Sequence, residues 1–318
     1  MNRLQLLLVF LLVASLASAQ QLSLFTQYRE NLDIINPAAV NSDYLAYEQN
    51  VSFGASYRAQ WTQFTGNPTT QILRGSYLST DFSGVNFMAG GYIMNDQTGP
   101  TGLTGLYGRI GGLITDDPYY GGFSLGISAG FVQFRVDASE IRLRDAGDIL
   151  GTTDQSQWYP DVGVGLFAYR LLDGGGFFDG DYLYGGVSVP QVMGLELTFT
   201  DDNGEFSTQR IQHFYGQLGL YKFLRDRSFL EPSVWVKYTP NAPVNVDFNL
   251  RYQTPTNFWV GTGLATSGNF HVEAGVLLGE PGIDNSFKLG YGFDYSFSTF
   301  GPAAGGTHEI NITYSFER

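Results

Sequence analysis

The C-terminal stretch of the chain alternates large apolar side chains with small or polar ones. One parity of its first segment is aromatic or aliphatic: Phe287, Leu289, Tyr291, Phe293, Tyr295 and Phe297. A second segment repeats the pattern with Ile310, Ile312, Tyr314 and Phe316. Because successive side chains of a strand point to opposite faces, each segment has one apolar face and one wet face. The first segment has the length of a β-strand that is tilted across a membrane.

The N-terminus, residues 1–19, has the pattern of a cleavable secretion signal. Arg3 precedes an apolar run from Leu4 to Leu12, and small residues precede Gln20. The apolar run is too short for a membrane-spanning helix. We therefore predict cleavage near Ala19/Gln20 and export of the mature chain.

Charge and residue usage exclude several kinds of protein. Lys and Arg number 17 against 30 Asp and Glu, a net charge of −13. Nucleic acid is therefore not an expected partner, since binding it requires cations that neutralise phosphates. The chain has no Cys, which excludes a disulfide framework and thiol-ligated metals. It has 25 Phe, 20 Tyr and 41 Gly but no apolar run of helical length after residue 19, a combination that favours a closed β-barrel in lipid.

Alternating segments that are bounded by turn residues predict fourteen strands: 51–61, 69–79, 84–94, 102–115, 121–135, 158–171, 181–189, 211–224, 229–239, 244–253, 257–266, 270–279, 286–297 and 308–316. An even number returns both ends of a single-chain barrel to the periplasmic side. If the first hairpin points outward, the two longest connections, 136–157 and 190–210, do so as well. The predicted fold is all-β: an antiparallel transmembrane outer-membrane β-barrel of about 14 strands over residues 51–318.

Residues 20–50 precede the first predicted strand and lack its alternation. The run from Ile34 to Ala39 is too apolar for a solvated tail. We expect a periplasmic cap that packs under the barrel. The alternative is a plug that folds into the lumen.

The sequence gives little support for catalysis or for a bound cofactor. The three histidines, His213, His271 and His308, lie on different predicted strands, with no spacing that supports a Ser-His-acid site. The segment 201–205, Asp-Asp-Asn-Gly-Glu, is rich in oxygen ligands but lacks EF-hand spacing, so a solvated turn is the simpler interpretation and calcium the alternative. No glycine-rich string follows a strand and opens a helix. We expect no enzyme, no metal site and no cofactor.

Polar side chains on the wet parity define a candidate lumen surface: Arg58, Gln60, Lys237, Asp247, Asn249 and Arg251. We expect Arg58 and Gln60 near the outer mouth and Trp61 in the outer aromatic girdle or at the rim. Asp247 and Arg251 are spaced to pair with Lys237 of the neighbouring strand. The lumen is then either held shut by hydrogen bonds and ion pairs or open as a path for a ligand or peptide.

Three groups of motif residues, in order along the chain, resemble the PorP/SprF family of type IX secretion outer-membrane proteins. The first group is Gln27-Tyr28, Asn31 and Asn36-Pro37-Ala38, similar to a QY…N…NPA signature; the second is Arg58-Ala59-Gln60-Trp61 with Pro68 and Thr70, similar to RxQW followed by PxT; the third is His308-Glu309-Ile310 with Tyr314-Ser315-Phe316, similar to a terminal HEI…YxF strand. The resemblance covers nearly the whole mature chain.

The resemblance implies an integral outer-membrane barrel that helps export or surface-anchor a client protein with a C-terminal secretion domain, such as a gliding adhesin. It also implies, for some members, links to periplasmic ring and motor components. Acidic and aromatic residues of the long outer connections are then candidate client contacts: Asp145, Asp148, Asp154, Trp158, Tyr159, Asp201 and Asp202.

Two other functions stay open at this point. The first is an outer-membrane channel or transporter for a small ligand such as a hydrophobic compound. Fourteen-stranded barrels include channels of this kind. The second is a structural anchor, in which the inner turns and residues 20–50 dock onto a periplasmic ring. Besides proteins, outer-membrane lipid is the expected partner of any such barrel.

Overall fold

The computed structural model describes residues 25–80, 84–137, 154–194, 196–201, 204–279, 285–298 and 301–318. The predicted signal peptide and its cleavage site lie outside these residues. A 3-10 turn (Tyr28–Asn31) and the short helices α1 (Leu32–Ile35) and α2 (Ser42–Tyr47) precede the strands, and α3 (Gly301–Ala304) precedes the last one. Among the described residues, no helix has the length and hydrophobicity needed to cross a membrane.

The strands in the described part of the chain are β1 (Val51–Ala59), β2 (Thr69–Leu78), β3 (Gly84–Thr98), β4 (Thr101–Thr115), β5 (Gly121–Val136), β6 (Gln155–Leu172), β7 (Asp181–Val189), β8 (Glu196–Asp201), β9 (Gly204–Gln209), β10 (Phe214–Phe223), β11 (Phe229–Tyr238), β12 (Asn245–Gln253), β13 (Phe258–Ala265), β14 (Asn269–Leu278), β15 (Asn285–Ser296) and β16 (Thr307–Phe316).

Fourteen of these strands form one closed antiparallel barrel, which confirms the predicted fold. Each barrel strand pairs with its neighbours in sequence, except that β7 pairs with β10. β1 and β16 close the wall in a register that places Arg58 opposite Glu309. Closure leaves no free sheet edge in the wall.

The alternation seen in the sequence separates an outward and an inward face. Outward side chains such as Phe131, 62% exposed, and Phe248, 55% exposed, form an apolar belt. On β16 the inward Glu309 and Thr313 are fully buried, whereas Ile310 and Ile312 face outward. An apolar belt around a polar interior is the pattern of a transmembrane barrel.

The interior is not uniformly polar, because part of the wall turns aromatic rings inward. Tyr169 on β6, Tyr184 on β7, Tyr221 on β10 and Trp235 on β11 are all buried in one hydrophobic cluster. Alternation fixes only which residues share a face. An inward tyrosine and an outward tyrosine therefore look alike in the sequence.

We call the end of the barrel where β1 begins and β16 ends the inner end, and the opposite end the outer end. The connections 116–120, 173–180, 224–228 and 254–257 lie at the inner end, whereas the strand ends that flank the longer connections 137–154 and 190–213 lie at the outer end. The outer connection 190–213, which the sequence predicts as a loop over 190–210, contains a hairpin: β8 and β9 pair only with each other among the described strands. Its short strands carry too little alternation to be recognised from sequence.

Candidate functional site

Residues 25–50, which we call the N-terminal segment, lie inside the barrel. Its side chains contact inward-facing residues from strands all around the wall, including Arg74 on β2, Glu231 on β11 and Lys288 on β15. Nearly all of its residues from Thr26 to Leu45 are buried. Of the two interpretations raised from the sequence, cap and plug, these contacts favour the plug.

Local hydrogen bonds set the path of the N-terminal segment. Asn36 Oδ1 accepts from the backbone N–H of Ala38 (2.9 Å), and the N–H of Ala39 donates to the carbonyl of Asn36 (2.9 Å). Asn at the first position and Pro37 at the second are the residues preferred in such a turn. Asn41 then caps α2 by accepting from the N–H of Asp43 (3.0 Å), and Glu48 ends α2 in the left-handed conformation at φ 63°.

One side of the segment, the ionic side, is held by buried charges. The Glu30 carboxylate lies 2.6 Å from Lys288 Nζ, 3.4 Å from Arg251 Nη1 and 3.9 Å from Arg74 Nη2. Lys288 also contacts Asp43. Burial opposes ionisation of Glu30, but these positive charges outweigh burial and lower its pKa from 4.5 to about 2. Glu30 is therefore a charged centre that ties three separate strands to the segment.

Arg29 makes the reciprocal arrangement with two wall carboxylates. Its Nε lies 3.1 Å from Glu231 and its Nη1 lies 2.5 Å from Glu273, with all three side chains buried. The neighbouring Tyr28 ring stacks on Trp235 at 5.1 Å between centroids, and its hydroxyl donates to Ser233 Oγ (2.5 Å). Removing one partner of such a buried pair costs far more than removing both.

The opposite side, which we call the glycine side, holds the backbone of the segment rather than its charges. Three wall side chains donate to carbonyls of residues 35–39, and one wall carbonyl accepts from the segment: Arg109 donates to the carbonyl of Ala39 (2.9 Å), Ser124 to that of Ala38 (2.7 Å) and Ser188 to that of Ile35 (2.7 Å), while Asn36 Nδ2 donates to the wall carbonyl of Leu166 (3.0 Å). The main chain of the segment therefore lies within hydrogen-bond reach of wall side chains.

Glycines on β5 and β6 permit this close approach. A Cβ added at Gly165 would lie 2.0 Å from Asn36 Oδ1, and one added at Gly126 would lie 2.3 Å from the carbonyl oxygen of Pro37. Real Cβ atoms do not approach other atoms so closely. The Asn36-Pro37-Ala38 turn and these glycines therefore fit as a pair.

The seam between β1 and β16 holds the start of the described segment. Glu309 accepts from the backbone N–H groups of Thr26 (2.7 Å) and Gln27 (3.1 Å) and lies 3.6 Å from Arg58 Nε. Arg58 Nη2 also reaches Asp294 at 3.0 Å. At the inner end, Asn50 Oδ1 accepts from the backbone N–H of Arg318 (2.9 Å), and Asn50 Nδ2 donates to the carbonyl of Arg318 (3.0 Å). Both ends of the N-terminal segment thus contact the C-terminal part of the chain.

A second closure lies nearer the outer end, where the connection 190–213 folds back into the lumen. Arg210 donates to Tyr159 Oη (2.7 Å) and lies 3.1 Å from Asp161, which accepts from Tyr107 Oη at 2.6 Å. All four side chains are buried. Sequence reasoning missed Arg210 and Asp161, because a buried arginine in a long connection has no periodic signature.

The family-motif positions in the N-terminal segment all contact the wall or the segment's own turn. Gln27, Tyr28, Asn31 and Asn36 are at most 1% exposed, and Pro37 gives its carbonyl to Arg109 at 3.3 Å. Asn31 Oδ1 accepts from Ser56 Oγ on β1 (3.4 Å). These residues therefore meet through the fold, although the motifs that carry them are far apart in the sequence.

The remaining motif positions lie at the outer end of the seam. Gln60 accepts from Arg58 Nη1 (2.9 Å), and its N–H donates to the carbonyl of Pro68 (2.8 Å). Trp61 sits outside β1 at φ 53° and packs edge-on against Phe64. Thr70 is buried beside Asp96, whereas His308 faces outward and bonds Tyr291 Oη at 2.6 Å. Of the adjacent residues His308 and Glu309, only Glu309 faces the lumen.

The other candidate lumen residues lie inside the barrel, where some bond to each other and one bonds to the N-terminal segment. Lys237 Nζ lies 2.6 Å from Asp247, as the sequence predicts, and Asn249 is buried beside them. Arg251, which we expected to pair in the same group, bonds Glu30 instead. The difference arises because the N-terminal segment supplies a carboxylate that a strand-by-strand analysis does not place in the lumen.

The candidate client contacts are scattered. Asp145, Asp148 and Asp202 lie outside the described residues, and Asp201 ends β8 at the tip of the hairpin. Asp154 is exposed, and Trp158 is 58% exposed on β6. Tyr159 differs from the expectation, because it is 5% exposed and faces the lumen beside Arg210.

Solved structures share the fold of this chain at very low sequence identity. The Pseudomonas putida toluene transporter TodX has a TM-score of 0.54 and 11% identity, covering 94% of this chain and 99% of that one. The CymD monoaromatic hydrocarbon channel has a TM-score of 0.54 and 9% identity, covering 85% of this chain and 89% of that one. Likeness at this level shows the fold alone. Among the curated proteins, none matches this chain.

A family model carries the identification further. The model of the type IX secretion system membrane protein PorP/SprF matches residues 17–314, which covers the N-terminal segment and nearly the whole wall. This match confirms the resemblance drawn from the three motif groups, in a family of membrane barrels rather than of enzymes. The chain belongs to the PorP/SprF family of type IX secretion system membrane proteins.

Proposed function

We propose that this protein is an outer-membrane accessory of type IX secretion that helps export or surface-anchor a client protein, by binding the client's C-terminal domain at its outer end. The observation that carries the proposal is the filled lumen. The N-terminal segment bonds to strands all around the wall, and Arg210 closes the lumen above it. A barrel filled in this way offers a partner its outer connections rather than a path.

The outer end is suited to protein binding. The connection 190–213 contributes a β-hairpin, Asp154 is exposed just before β6, and Trp158 is exposed near the outer end of β6. Exposed aromatic anchors among polar neighbours are typical of protein interfaces. The client contacts named from the sequence in the described outer region therefore reduce to these residues and the hairpin.

Recovery of the client with the tagged protein from solubilised outer membranes tests the proposal. We expect the wild type to retain a secreted or surface protein with a C-terminal secretion domain, and Trp158→Ala to lower recovery about tenfold, as loss of an aromatic anchor does. Phe177→Ala, which removes a 77% exposed ring at the inner end, is the matched control. Equal recovery from both variants, or no such client with the wild type, contradicts the proposal.

A channel for a small hydrophobic ligand is the second candidate, and the shared fold with TodX and CymD favours it. The buried ion pairs and the segment's bonds to the wall oppose a continuous path. Conductance in planar bilayers separates the two functions. We expect the wild type to be nearly silent, whereas steady conductance without a partner supports the channel.

Periplasmic ring or motor components are the remaining proposed partners, and they would meet the inner end. Tyr28 and Asn31 are at most 1% exposed, so these two residues are not available for docking while the segment is in place. The exposed rings of Tyr119, Tyr120 and Phe178 on the inner turns are available. Photo-crosslinking from Phe178 to a ring component, absent when the probe stands at Tyr28, is the expected result.

A further inference from the structure

The outward face of the wall carries a groove at the inner end, between β5, β6, β7 and β10. The groove has a volume of about 940 Å³ and is lined by Tyr120, Gly121, Ala168, Arg170, Gly185 and Leu218 among others. A second groove of about 460 Å³ continues along β5 and β6, between Leu125, Ile127, Val164 and Leu166. Both grooves lie on the lipid-facing parity of the barrel.

Pairing places small residues at the centre of the first groove. Ala168 is opposite Gly185, and Arg170 is opposite Gly121. Leu218 on β10 is opposite Gly185, Leu183 lies two positions before Gly185 on β7, and both leucines are exposed. The surface is therefore notched where other parts of the apolar belt are filled by side chains.

The two grooves together have the depth of one membrane leaflet. From Arg170 to Val164 the strand advances about 20 Å, at roughly 3.3 Å per residue. Tilted at about 45°, this corresponds to about 14 Å of membrane depth. Half of a hydrocarbon core of about 30 Å is about 15 Å. A chain that starts at Arg170 and follows β6 would end near the middle of the bilayer.

Charges of both signs stand at the inner rim of the groove. Arg170 is exposed on the lipid-facing parity, and no described residue forms an ion pair with it. Asp116 and Asp117, also exposed, line the same groove. Guanidinium groups bind phosphate, and carboxylates bind ammonium groups. The rim thus complements a headgroup that carries both a phosphate and an amine.

The carboxylate-bearing turn is fixed rather than loose. Tyr169 Oη donates to the carbonyl of Pro118 (2.6 Å), Tyr182 Oη donates to that of Tyr119 (2.6 Å), and the N–H of Leu171 donates to that of Tyr120 (2.8 Å). These bonds tie the turn to β6 and β7. The two kinds of charge therefore keep their relative positions.

We propose that this groove binds one phosphatidylethanolamine-type lipid of the periplasmic leaflet, with its phosphate on Arg170, its ammonium group at Asp116 and Asp117, and an acyl chain along β6. Tyr120, 54% exposed at the rim, lies where aromatic side chains meet headgroups. On the inner side of the same wall, Gly126 and Gly165 receive the Asn36-Pro37-Ala38 turn. Lipid and N-terminal segment therefore press on opposite faces of β5 and β6. The site does not depend on the proposed secretion function.

Photo-crosslinking maps the site. The full chain is placed in vesicles of phosphatidylethanolamine and phosphatidylglycerol in equal amounts, with a trace of phosphatidylethanolamine that carries a diazirine in its acyl chain. We expect crosslinks to concentrate in residues 121–127 and 164–170. Crosslinks spread evenly around the wall overturn the proposal.

Native mass spectrometry after detergent extraction then tests the chemistry. We expect the wild type to retain phosphatidylethanolamine, and Arg170→Gln and Ala168→Phe each to lower retention about tenfold, since one removes a charged hydrogen bond and the other fills the notch. The controls are Arg225→Gln at an exposed inner turn and Ala55→Phe on the opposite wall, which should retain lipid as the wild type does. Equal loss in controls and test variants, or equal retention of phosphatidylglycerol, or retention of lipopolysaccharide only, overturns the proposal. Heat-shifted migration on a gel verifies that each variant is folded.

Discussion

The two sides of the lumen hold the same segment by different interactions: buried ion pairs on one side, and hydrogen bonds to main-chain carbonyls with close packing on the other. On the ionic side, Glu30 and Arg29 bond to charges on β2, β11, β12, β14 and β15. On the glycine side, side chains of β4, β5 and β7 donate to main-chain carbonyls of the segment, and glycines on β5 and β6 leave room for its turn. The first side depends on charge and therefore on pH, whereas the second depends on shape. Variants on the two sides should consequently fail in different ways.

The ionic side should give the largest effect. Glu30→Gln leaves Lys288, Arg251 and Arg74 buried without their shared carboxylate, so we expect a loss of about 3–5 kcal/mol in the free energy of unfolding. Urea unfolding in lipid vesicles measures this loss. Glu48→Gln, in the same segment but exposed, is the control and should change little. A loss below about 1 kcal/mol for Glu30→Gln would show that the ionic side is solvated.

The same charge predicts a pH dependence. The pKa of Glu30 is lowered from 4.5 to about 2, so its contribution is complete above pH 4.5 and is lost as pH falls toward 2. The difference in unfolding free energy between the wild type and Glu30→Gln should therefore be constant from pH 7 to pH 5 and shrink below. A difference that already shrinks between pH 7 and pH 5 contradicts the assignment.

The glycine side should give an intermediate effect that is independent of pH. Gly165→Val places a side chain where Asn36 lies, so we expect a cost of about 1–3 kcal/mol and release of the turn. Because the chain has no native Cys, labelling of a buried Ala39→Cys with a maleimide reports this release directly. Gly108→Val, where a Cβ would meet nothing within 4 Å, should leave labelling slow. Equal labelling in both variants would contradict the claim that Gly165 makes room for the Asn36 turn.

A single hydroxyl on the glycine side should give the smallest effect. Ser124→Ala removes the hydroxyl that donates to the carbonyl of Ala38 and lies 3.1 Å from that of Phe167, and it should cost about 1 kcal/mol. Ser156→Ala removes an exposed hydrogen bond, in which Ser156 Oγ accepts from Gln133 Nε2, and should cost less. Urea midpoints of the two variants measure the difference, and reversal of their order would contradict the burial argument.

The strands of the barrel were predictable from the sequence. The contacts of the N-terminal segment and of Arg210 inside the barrel were not. Alternation along strands such as Asn245–Gln253 gives the number of strands and the faces of Asp247 and Arg251. The partner of Arg251 is Glu30, separated from it by 221 positions, and such a contact leaves no periodic trace. The same reason hid Arg210, and it left the cap and the plug undecided. The motifs identify residues that make contacts inside the barrel, but they do not identify the partners of those residues.

The seam described above has a consequence for assembly. Glu309 and Ser315 on the last strand bond Thr26, Gln27 and Asp43 of the N-terminal segment. These contacts cannot form until the final strand has been released and paired with the first. Pairing of the last strand therefore closes the wall and completes the contacts at the start of the described segment together. A chain truncated before its last strand would lack both closure and the Glu309 and Ser315 contacts of its own N-terminal segment.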